Sequence, residues 1–175
     1  MPSQRPTRSE ASEYYFRYID QVPPGEICGI LHTQLDEAGA LLRGIDAGQS
    51  NYRYADDKWT LREVVGHLVD TERLFLMRAF WFARGFDTPL PSFDQNIAIA
   101  AGRFDAREWG GLIDELARAR DSSIDFFEGL PADAWDRRGV ASGNPFSVRA
   151  LAWLMAGHVE HHARIVRERY LPALA

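Results

Sequence analysis

Apolar residues recur with a period of about 3.6 in four long segments of the chain, a pattern typical of amphipathic helices. The helices are predicted over 25–45, from Thr60 to Arg84, from Asp105 to Gly129, and between Ser147 and Pro172. No run of alternating apolar residues is long enough to predict a strand. The pattern therefore predicts an all-α fold, a four-helix bundle.

Local signals mark the starts of two of these helices. Thr60 and Glu63 stand in the positions of a capping box, and Asp105 is expected to cap the third helix. Pro131–Trp135 suits a single helical turn. The Gly and Pro residues that follow predict an irregular connection over 139–145.

Two segments lie outside the predicted helices. The connection over 85–104 is longer than the links that usually join antiparallel helices, and such connections are often functional crossovers or cover a site. Residues 1–24 are expected to form an arm or a short helix packed on the bundle. The predicted bundle domain covers residues 25–175.

Composition narrows the class of protein. The chain has 175 residues, 46% of them hydrophobic, which is enough for one domain whose core needs no structural metal. Its 20 basic and 25 acidic side chains give a net charge of −5 without a basic stripe, which argues against nucleic acid and anionic membranes as partners. The most hydrophobic stretch, 74–83, is short and contains Arg78, so neither a membrane span nor a signal peptide is expected. The single cysteine, Cys28, favours a reducing compartment, the cytoplasm.

The predicted fourth helix places two histidines on its apolar face. His158 and His162 are one turn apart within a stripe about 120° wide, whereas His161 projects about 60° or more away from them. On the second helix, His67 stands at the edge of the apolar stripe and can face the interior. A buried imidazole is costly unless its nitrogens are satisfied. Three imidazoles directed inward from two helices favour a metal site with open coordination positions; the alternative is core histidines bonded to carboxylates or backbone groups.

Polar residues elsewhere are candidates for a substrate pocket. Asp94, Gln95 and Asn96 lie in the long connection, where they can line the mouth of the bundle; the alternative is a polar turn. Arg149 is a candidate for binding a substrate carboxylate; the alternative is an exposed arginine near a helix start.

Other titratable residues are given ordinary roles. Asp70, Glu72 and Glu160 are near the histidines in sequence, and we predict that each is a solvated surface charge. Cys28 has no basic partner nearby in sequence, which predicts a small buried apolar residue rather than a nucleophile.

Three sequence segments resemble the DinB/YfiT-like superfamily over about residues 25–171. One segment opens with a tryptophan and contains a histidine, Lys58–Glu72 (KWTLREVVGHLVDTE). Another contains the His-x-x-x-His pair, Leu151–His162 (LAWLMAGHVEHH), and a third lies in the long connection, Leu90–Gln95 (LPSFDQ). The resemblance implies a bundle with up-down-down-up connectivity.

The resemblance also implies a divalent metal, zinc or nickel, held by His67, His158 and His162. Characterised members include transferases and isomerases that use low-molecular-weight thiols such as bacillithiol, mycothiol or glutathione, and homodimers are common among them. A metal suits thiol chemistry because a divalent cation lowers the pKa of a bound thiol or water.

Three functions are compatible with these residues. The first is a metal-dependent enzyme that transfers a small thiol to an electrophilic small molecule, with a role in detoxification or stress protection. The second is a metal-dependent hydrolase, in which hydroxide replaces the thiolate. The third is a helical module that binds a metal without catalysing a reaction.

Overall fold

Four long helices and several short elements make up this computed structural model, which describes residues 4–174. The long helices are α2 (Ile27–Arg43), α3 (Leu61–Ala83), α5 (Trp109–Glu128) and α6 (Val148–Ile165). The short elements are the helices α1 (Glu13–Ile19), α4 (Gln95–Gly102) and α7 (Leu171–Leu174), and the strands β1 (Arg138–Ala141) and β2 (Asn144–Ser147). Single turns of 3₁₀ helix occur at Arg8–Glu10, Gln49–Asn51, Phe104–Ala106 and Ala132–Asp136.

The four long helices pack around a shared interior. Helix α2 contacts both α5 and α6, and α3 contacts the same two helices. Each of the four coincides with one of the helices predicted from the apolar period. The up-down-down-up order of their directions stays a prediction.

Of the two helix starts for which the sequence predicted a cap, one is confirmed. In α3 the Thr60 hydroxyl accepts from the Glu63 amide and the Glu63 carboxylate accepts from the Thr60 amide, so the predicted capping box is confirmed. The prediction that Asp105 caps the third helix is wrong. Asp105 lies in a 3₁₀ turn, and α5 begins at Trp109 after Glu108, because the chain first turns to bury Phe104 and Trp109.

A β-hairpin occupies the segment predicted to be irregular. Strands β1 and β2 pair antiparallel around Ser142 and Gly143, which both have positive φ, the backbone twist that suits a two-residue hairpin turn. The strands have four residues each and bury Phe146 and Ala141, and β1 also pairs with Leu90. Strands this short have no alternating pattern of their own, and tertiary packing stabilises them.

The long connection contains a helix that the sequence reading missed. Helix α4 begins after Asp94, whose carboxylate accepts from the Asn96 and Ile97 amides. Among its residues only Ile99 is buried. Since α4 packs against α3, the connection is held close to the bundle.

Residues 13–19 form a short helix. For the N-terminal segment the sequence predicted either an arm or a short helix packed on the bundle. Phe16 and Ile19 of α1 are buried in the same hydrophobic cluster as the interior of α6. At Gly157 the backbone of α1 approaches α6 so closely that an added Cβ would lie 2.2 Å from the Tyr18 carbonyl oxygen. The glycine thereby allows Tyr18 to lie beside the histidines of α6. The first three residues of the predicted arm, 1–3, lie outside the described residues.

The C-terminal helical path continues past its predicted end. A π-helical turn over Val166–Tyr170 leads from α6 into α7, which contains Pro172. A proline is tolerated in the first turn of a helical segment, because the N–H that it lacks has no helical partner there. Among residues 4–174, no helix combines the length and apolar character that crossing a membrane requires.

Candidate metal centre and adjoining cavities

The fold brings three histidines from two helices together in the interior. His67 comes from α3, and His158 and His162 come from successive turns of α6. Each offers a ring nitrogen within 4.8 Å of the other two. Their ring centroids are 4.9 Å (His67 to His158), 5.1 Å (His67 to His162) and 4.7 Å (His158 to His162) apart.

Thr71 orients the imidazole of His158. The Thr71 hydroxyl donates to the His67 carbonyl at 2.7 Å and lies 3.3 Å from Nδ1 of His158. Because the hydroxyl proton is already donated to the backbone, Thr71 accepts from Nδ1–H of His158. The Nε2 lone pair of His158 is then free and points toward Nε2 of His67, 3.1 Å away.

Burial keeps the three imidazoles neutral. It lowers the pKa of His67 to about 4. Burial, followed by the charges of the neighbouring histidines, lowers the pKa of His158 well below its ordinary range, and the same causes act on His162. Neutral imidazoles with free lone pairs are the form that binds metal ions.

The donor set fits a divalent cation. Two nitrogens bound to one tetrahedral zinc at about 2.0 to 2.1 Å are separated by about 3.3 Å, close to the spacing of the two Nε2 atoms. Within the described part of the chain, Nδ1 of His67 is buried without a hydrogen-bond partner. A cation between the two Nε2 atoms would bind both of their lone pairs, and Nδ1 of His67 would then carry the ring proton.

The two remaining histidines stay outside this group. His161 is half-buried, with its ring edge-on to Tyr18 at 5.1 Å, in agreement with its predicted offset from His158 and His162. His32 is exposed and pairs with Glu128.

A buried ion pair lies next to the histidines and joins the four long helices. Arg120 of α5 donates to both oxygens of Glu72 of α3, at 2.8 and 2.9 Å, and to Gln34 of α2. The Gln34 amide donates in turn to the Ala156 carbonyl of α6. Glu72 is 2% exposed, so the prediction that it is a solvated surface charge is wrong. Glu72 lies on the side of α3 that faces α5, and Arg120 becomes its partner only because these two helices pack together.

The other two acidic residues are less buried. Asp70 is half-buried, and desolvation raises the pKa of its carboxyl. Glu160 is half-buried and lies 3.6 Å from Arg167.

Two cavities are lined by different members of the histidine group. The Arg78 cavity, of about 190 Å³, is lined by both His67 and His158. The Trp59 cavity, of about 230 Å³, is lined by His162. Gln95, a predicted pocket residue, lines both cavities.

Of the other predicted pocket residues, one lines a cavity and two are engaged in contacts elsewhere. Asn96 lines the Trp59 cavity. Asp94 caps α4 with its carboxylate and positions its two neighbours, which corresponds to the polar-turn alternative. Arg149 is 8% exposed and is held by Glu10 at 2.9 Å and Asp136 at 2.6 Å. Its guanidinium is therefore engaged by two carboxylates, and the role of Arg149 in a substrate pocket stays a prediction.

The Arg78 cavity also contains residues to which the sequence reading gave no role. Tyr15 and Tyr18 of α1 line it, and burial raises the pKa of both phenols. Arg78 lines it from α3 and is 3% exposed. The signal in the sequence was a charged residue inside an otherwise apolar stretch, in helical register with His67.

The thiol of Cys28 is excluded as a nucleophile. It is buried, and desolvation, followed by the charge of Glu26, raises the pKa of Cys28 to about 12. The predicted role as a small buried apolar residue is in accord with this environment.

Solved structures share this architecture. YfiT from Bacillus subtilis, described as a probable metal-dependent hydrolase with an unusual four-helix bundle topology, matches with a TM-score of 0.70 and 17% identity, covering 95% of this chain and 91% of YfiT. The mycothiol-dependent maleylpyruvate isomerase matches with a TM-score of 0.66 and 17% identity, covering 79% of this chain and 58% of the isomerase. A point mutant of that isomerase gives the same values. At this identity the likeness shows the fold alone.

Sequence comparison identifies the family. No curated protein matches the chain significantly. The family profile described as the DinB superfamily matches residues 30–166, well over half of the chain. The chain therefore belongs to the DinB superfamily.

Proposed function

We propose that this protein is a metal-dependent enzyme that transfers a low-molecular-weight thiol to the electrophilic carbon of a small molecule. The observation that carries the proposal is the presence of two cavities beside one group of three histidines, one of about 190 Å³ lined by His67 and His158 and one of about 230 Å³ lined by His162. Transfer between two substrates needs a compartment for each of them beside the same centre. Hydrolysis needs only one compartment and access for water.

His67, His158 and His162 would hold the divalent cation, zinc or nickel, through their neutral ring nitrogens. When bound, such a cation lowers the pKa of a coordinated thiol or water and supplies thiolate or hydroxide near neutral pH. Thr71 fixes the tautomer of His158 that presents Nε2. Three protein ligands are the number found in catalytic zinc sites, which keep a position for a substrate.

The transfer forms a carbon–sulfur bond and breaks two bonds, the S–H bond of the thiol and the bond between the carbon and its leaving group. The sulfur of the thiolate bonds to the electrophilic carbon, the leaving group departs with its electron pair, and the proton of the thiol is released. The thiol comes from a cosubstrate, since Cys28 stays protonated. Tyr15 and Tyr18 keep their phenolic protons because burial raises the pKa of both, and they can donate hydrogen bonds to a substrate in the Arg78 cavity.

A hydrolase is the second candidate function. It is supported by the structural likeness to YfiT, which extends over nearly the whole of both chains. In this reaction, water takes the place of the thiol. A hydrolase therefore needs no second substrate, and the Trp59 cavity would have no role in binding one. A small-molecule substrate is common to both candidates, and the expected homodimer stays a prediction.

The first test is a metal count by elemental analysis of the chain purified without chelator, beside His158→Ala and His162→Ala. We expect about one equivalent of zinc or nickel in the parent and almost none in the two variants. His161→Ala is the matched control, because its ring lies on the same turn but outside the group. It should keep the metal of the parent.

Turnover then separates the candidate functions. The metal-loaded protein is assayed with monochlorobimane in the presence and absence of glutathione, bacillithiol or mycothiol, and with a p-nitrophenyl ester without thiol. Turnover only with a thiol supports the transferase, whereas ester cleavage without thiol supports the hydrolase. Protein that takes up no metal even after reconstitution contradicts both enzymes and leaves the three histidines as structural residues.

A further inference from the structure

Arg78 is a buried cation without an anionic partner in the described part of the chain. Its side chain has five N–H donors. Nη2 donates to the Ser142 hydroxyl at 2.7 Å and to the Pro91 carbonyl at 3.3 Å, and both of these acceptors are uncharged. Nε is buried and has no partner. Arginines that are this deeply buried are ordinarily paired with a carboxylate.

Arg120 is a second buried arginine in the same protein, and it has a carboxylate partner. It is 2% exposed, against 3% for Arg78, and it holds the carboxylate of Glu72 through two hydrogen bonds. No Asp or Glu is among the described residues that line the Arg78 cavity, and Arg78 is the only Lys or Arg there. The positive charge of Arg78 is therefore not neutralised by the residues that line the cavity, and an anionic ligand could neutralise it.

The position of Arg78 on α3 places it in line with the histidines. His67, Thr71, Phe75 and Arg78 follow one another on one face of the helix, and all four line the Arg78 cavity. Eleven residues separate the Cα atoms of His67 and Arg78 by about 16 Å along the helix axis. Side chains on a helix tilt toward its N-terminus, which is the direction of His67 from Arg78.

We propose that Arg78 binds the carboxylate of a small substrate whose reactive end lies at the three histidines. A planar guanidinium matches a carboxylate in shape and charge, and one guanidinium without a second cation suits a single carboxylate. The cavity of about 190 Å³ admits a small acid. The position of the reactive end rests on the proposed function, whereas the carboxylate site stands on the surroundings of Arg78 alone.

Neighbouring groups complete this site. Tyr15 lies close enough for its phenol and the Arg78 charge to influence each other, and burial lowers the pKa of the guanidinium while Tyr15 opposes this effect. The hairpin turn supplies Ser142, which holds one end of the guanidinium. The charge is thus held in place by neutral groups, which leave it available to an anion.

The test measures binding rather than turnover, with succinate and its neutral analogue succinamide as probes. Isothermal titration calorimetry is carried out on zinc-loaded and on chelator-treated protein. We expect succinate to bind the parent more tightly than succinamide in both preparations. Arg78→Met should weaken succinate binding by about 10- to 100-fold, the range expected for hydrogen bonds to a charged group. Arg78→Lys keeps the charge without the fork and should weaken it less.

Two controls separate this site from a general effect of charge and from the metal. Arg84 is an exposed arginine directly after the end of α3, and Arg84→Met should bind succinate like the parent. The chelator-treated parent lacks the metal and should keep the carboxylate site. The Arg78→Met protein should retain its metal and unfold at the same temperature as the parent or higher, since no buried carboxylate loses its partner.

Either of two results overturns the proposal: equal succinate affinity in the parent and Arg78→Met, or succinate affinity no greater than that of succinamide in the parent. Loss of succinate binding in the chelator-treated parent would assign the carboxylate to the metal and would also overturn it. Failure of the proposed function is a different result, an absence of bound metal or of turnover. N-acetylcysteine, a thiol with one carboxylate, shows which of the two substrates Arg78 binds. If Arg78→Met loses affinity for N-acetylcysteine, the carboxylate belongs to the thiol substrate. If the affinity is unchanged, the carboxylate belongs to the electrophilic substrate that succinate mimics.

Discussion

Glu72 and Arg120 meet through two parallel hydrogen bonds, at 2.8 and 2.9 Å, in the interior of the bundle. The two residues come from α3 and α5, and Gln34 extends the contact to α2 and α6. Such a pair holds the helices in one arrangement, because each charge is costly to bury without the other.

Breaking this pair should destabilise the protein strongly. Arg120→Met leaves the Glu72 carboxylate buried and unpaired, and we expect the free energy of unfolding to fall by about 3 to 5 kcal/mol. Glu72→Leu combined with Arg120→Met should recover most of that loss, since neither charge then remains. Urea denaturation followed by circular dichroism measures both. A loss below about 1 kcal/mol in Arg120→Met would show that the pair contributes little.

The stability of the metal-free protein should depend on pH through the three histidines. Burial lowers the pKa of His67 from 6.5 to about 4, and the pKa values of His158 and His162 are lowered as well. As the pH falls, the unfolded chain therefore binds protons first. The free energy of unfolding should be highest above pH 6.5 and fall toward about pH 4, by about 2 kcal/mol at pH 5 for a histidine that behaves like His67.

Urea denaturation of chelator-treated protein at about pH 7.5 and about pH 5 measures this effect. Glu10 and Glu115, whose pKa values are lowered from 4.5, lose their contributions below that window, so the histidines dominate within it. His67→Gln is expected to reduce the dependence by about one proton. A midpoint that does not change between the two pH values would contradict the burial of neutral imidazoles.

Thr71 is expected to support the metal through His158. Thr71→Val removes the acceptor of Nδ1–H at nearly constant volume, and metal affinity should decrease by about 10- to 100-fold while the fold is kept. Competition with a chromophoric chelator measures the affinity. Thr71→Ser restores the hydroxyl and should recover the binding. Thr33→Val is a control, because the Thr33 hydroxyl bonds only to its own helix, and unchanged affinity in Thr71→Val would argue against this orienting role.

Gly157 is expected to govern the packing of α1. In Gly157→Ala the added Cβ would lie 2.2 Å from the Tyr18 carbonyl oxygen and 2.4 Å from its carbonyl carbon, so the backbone of α1 must move. We expect a loss of about 1 to 3 kcal/mol and faster tryptic cleavage after Arg17. Gly110→Ala is the matched control, because nothing lies within 4 Å of its added Cβ, and it should stabilise α5 by up to about 1 kcal/mol. Similar behaviour of the two variants would refute the close approach.

The helices and the histidine group were largely predictable because their signals are local. The apolar period indicated α2, α3, α5 and α6, and the capping box marked the start of α3. Helical spacing alone placed His158 and His162 on one face. Those features depend on residues within one or two turns of each other, which a sequence shows directly.

The features that were missed depend on contacts between distant segments. Strands β1 and β2 are stabilised by the burial of Phe146 and by pairing with Leu90, which no local pattern indicates. Glu72 became an interior ion-pair partner only because α5 brings Arg120 to it. The helix α4 was missed because the polar residues around Asp94 also suit a turn, and packing against α3 decided between them.

The sequence by itself determined which faces of the helices are apolar and which of them carry imidazoles, since side-chain direction follows from helical geometry. Only the tertiary structure decided which charges meet. It paired Arg120 with Glu72 and Arg149 with Glu10, and it left Arg78 facing a cavity beside the histidines. The physical reason is that the free energy of a buried charge depends on what surrounds it, and those surroundings come from segments far apart in the chain.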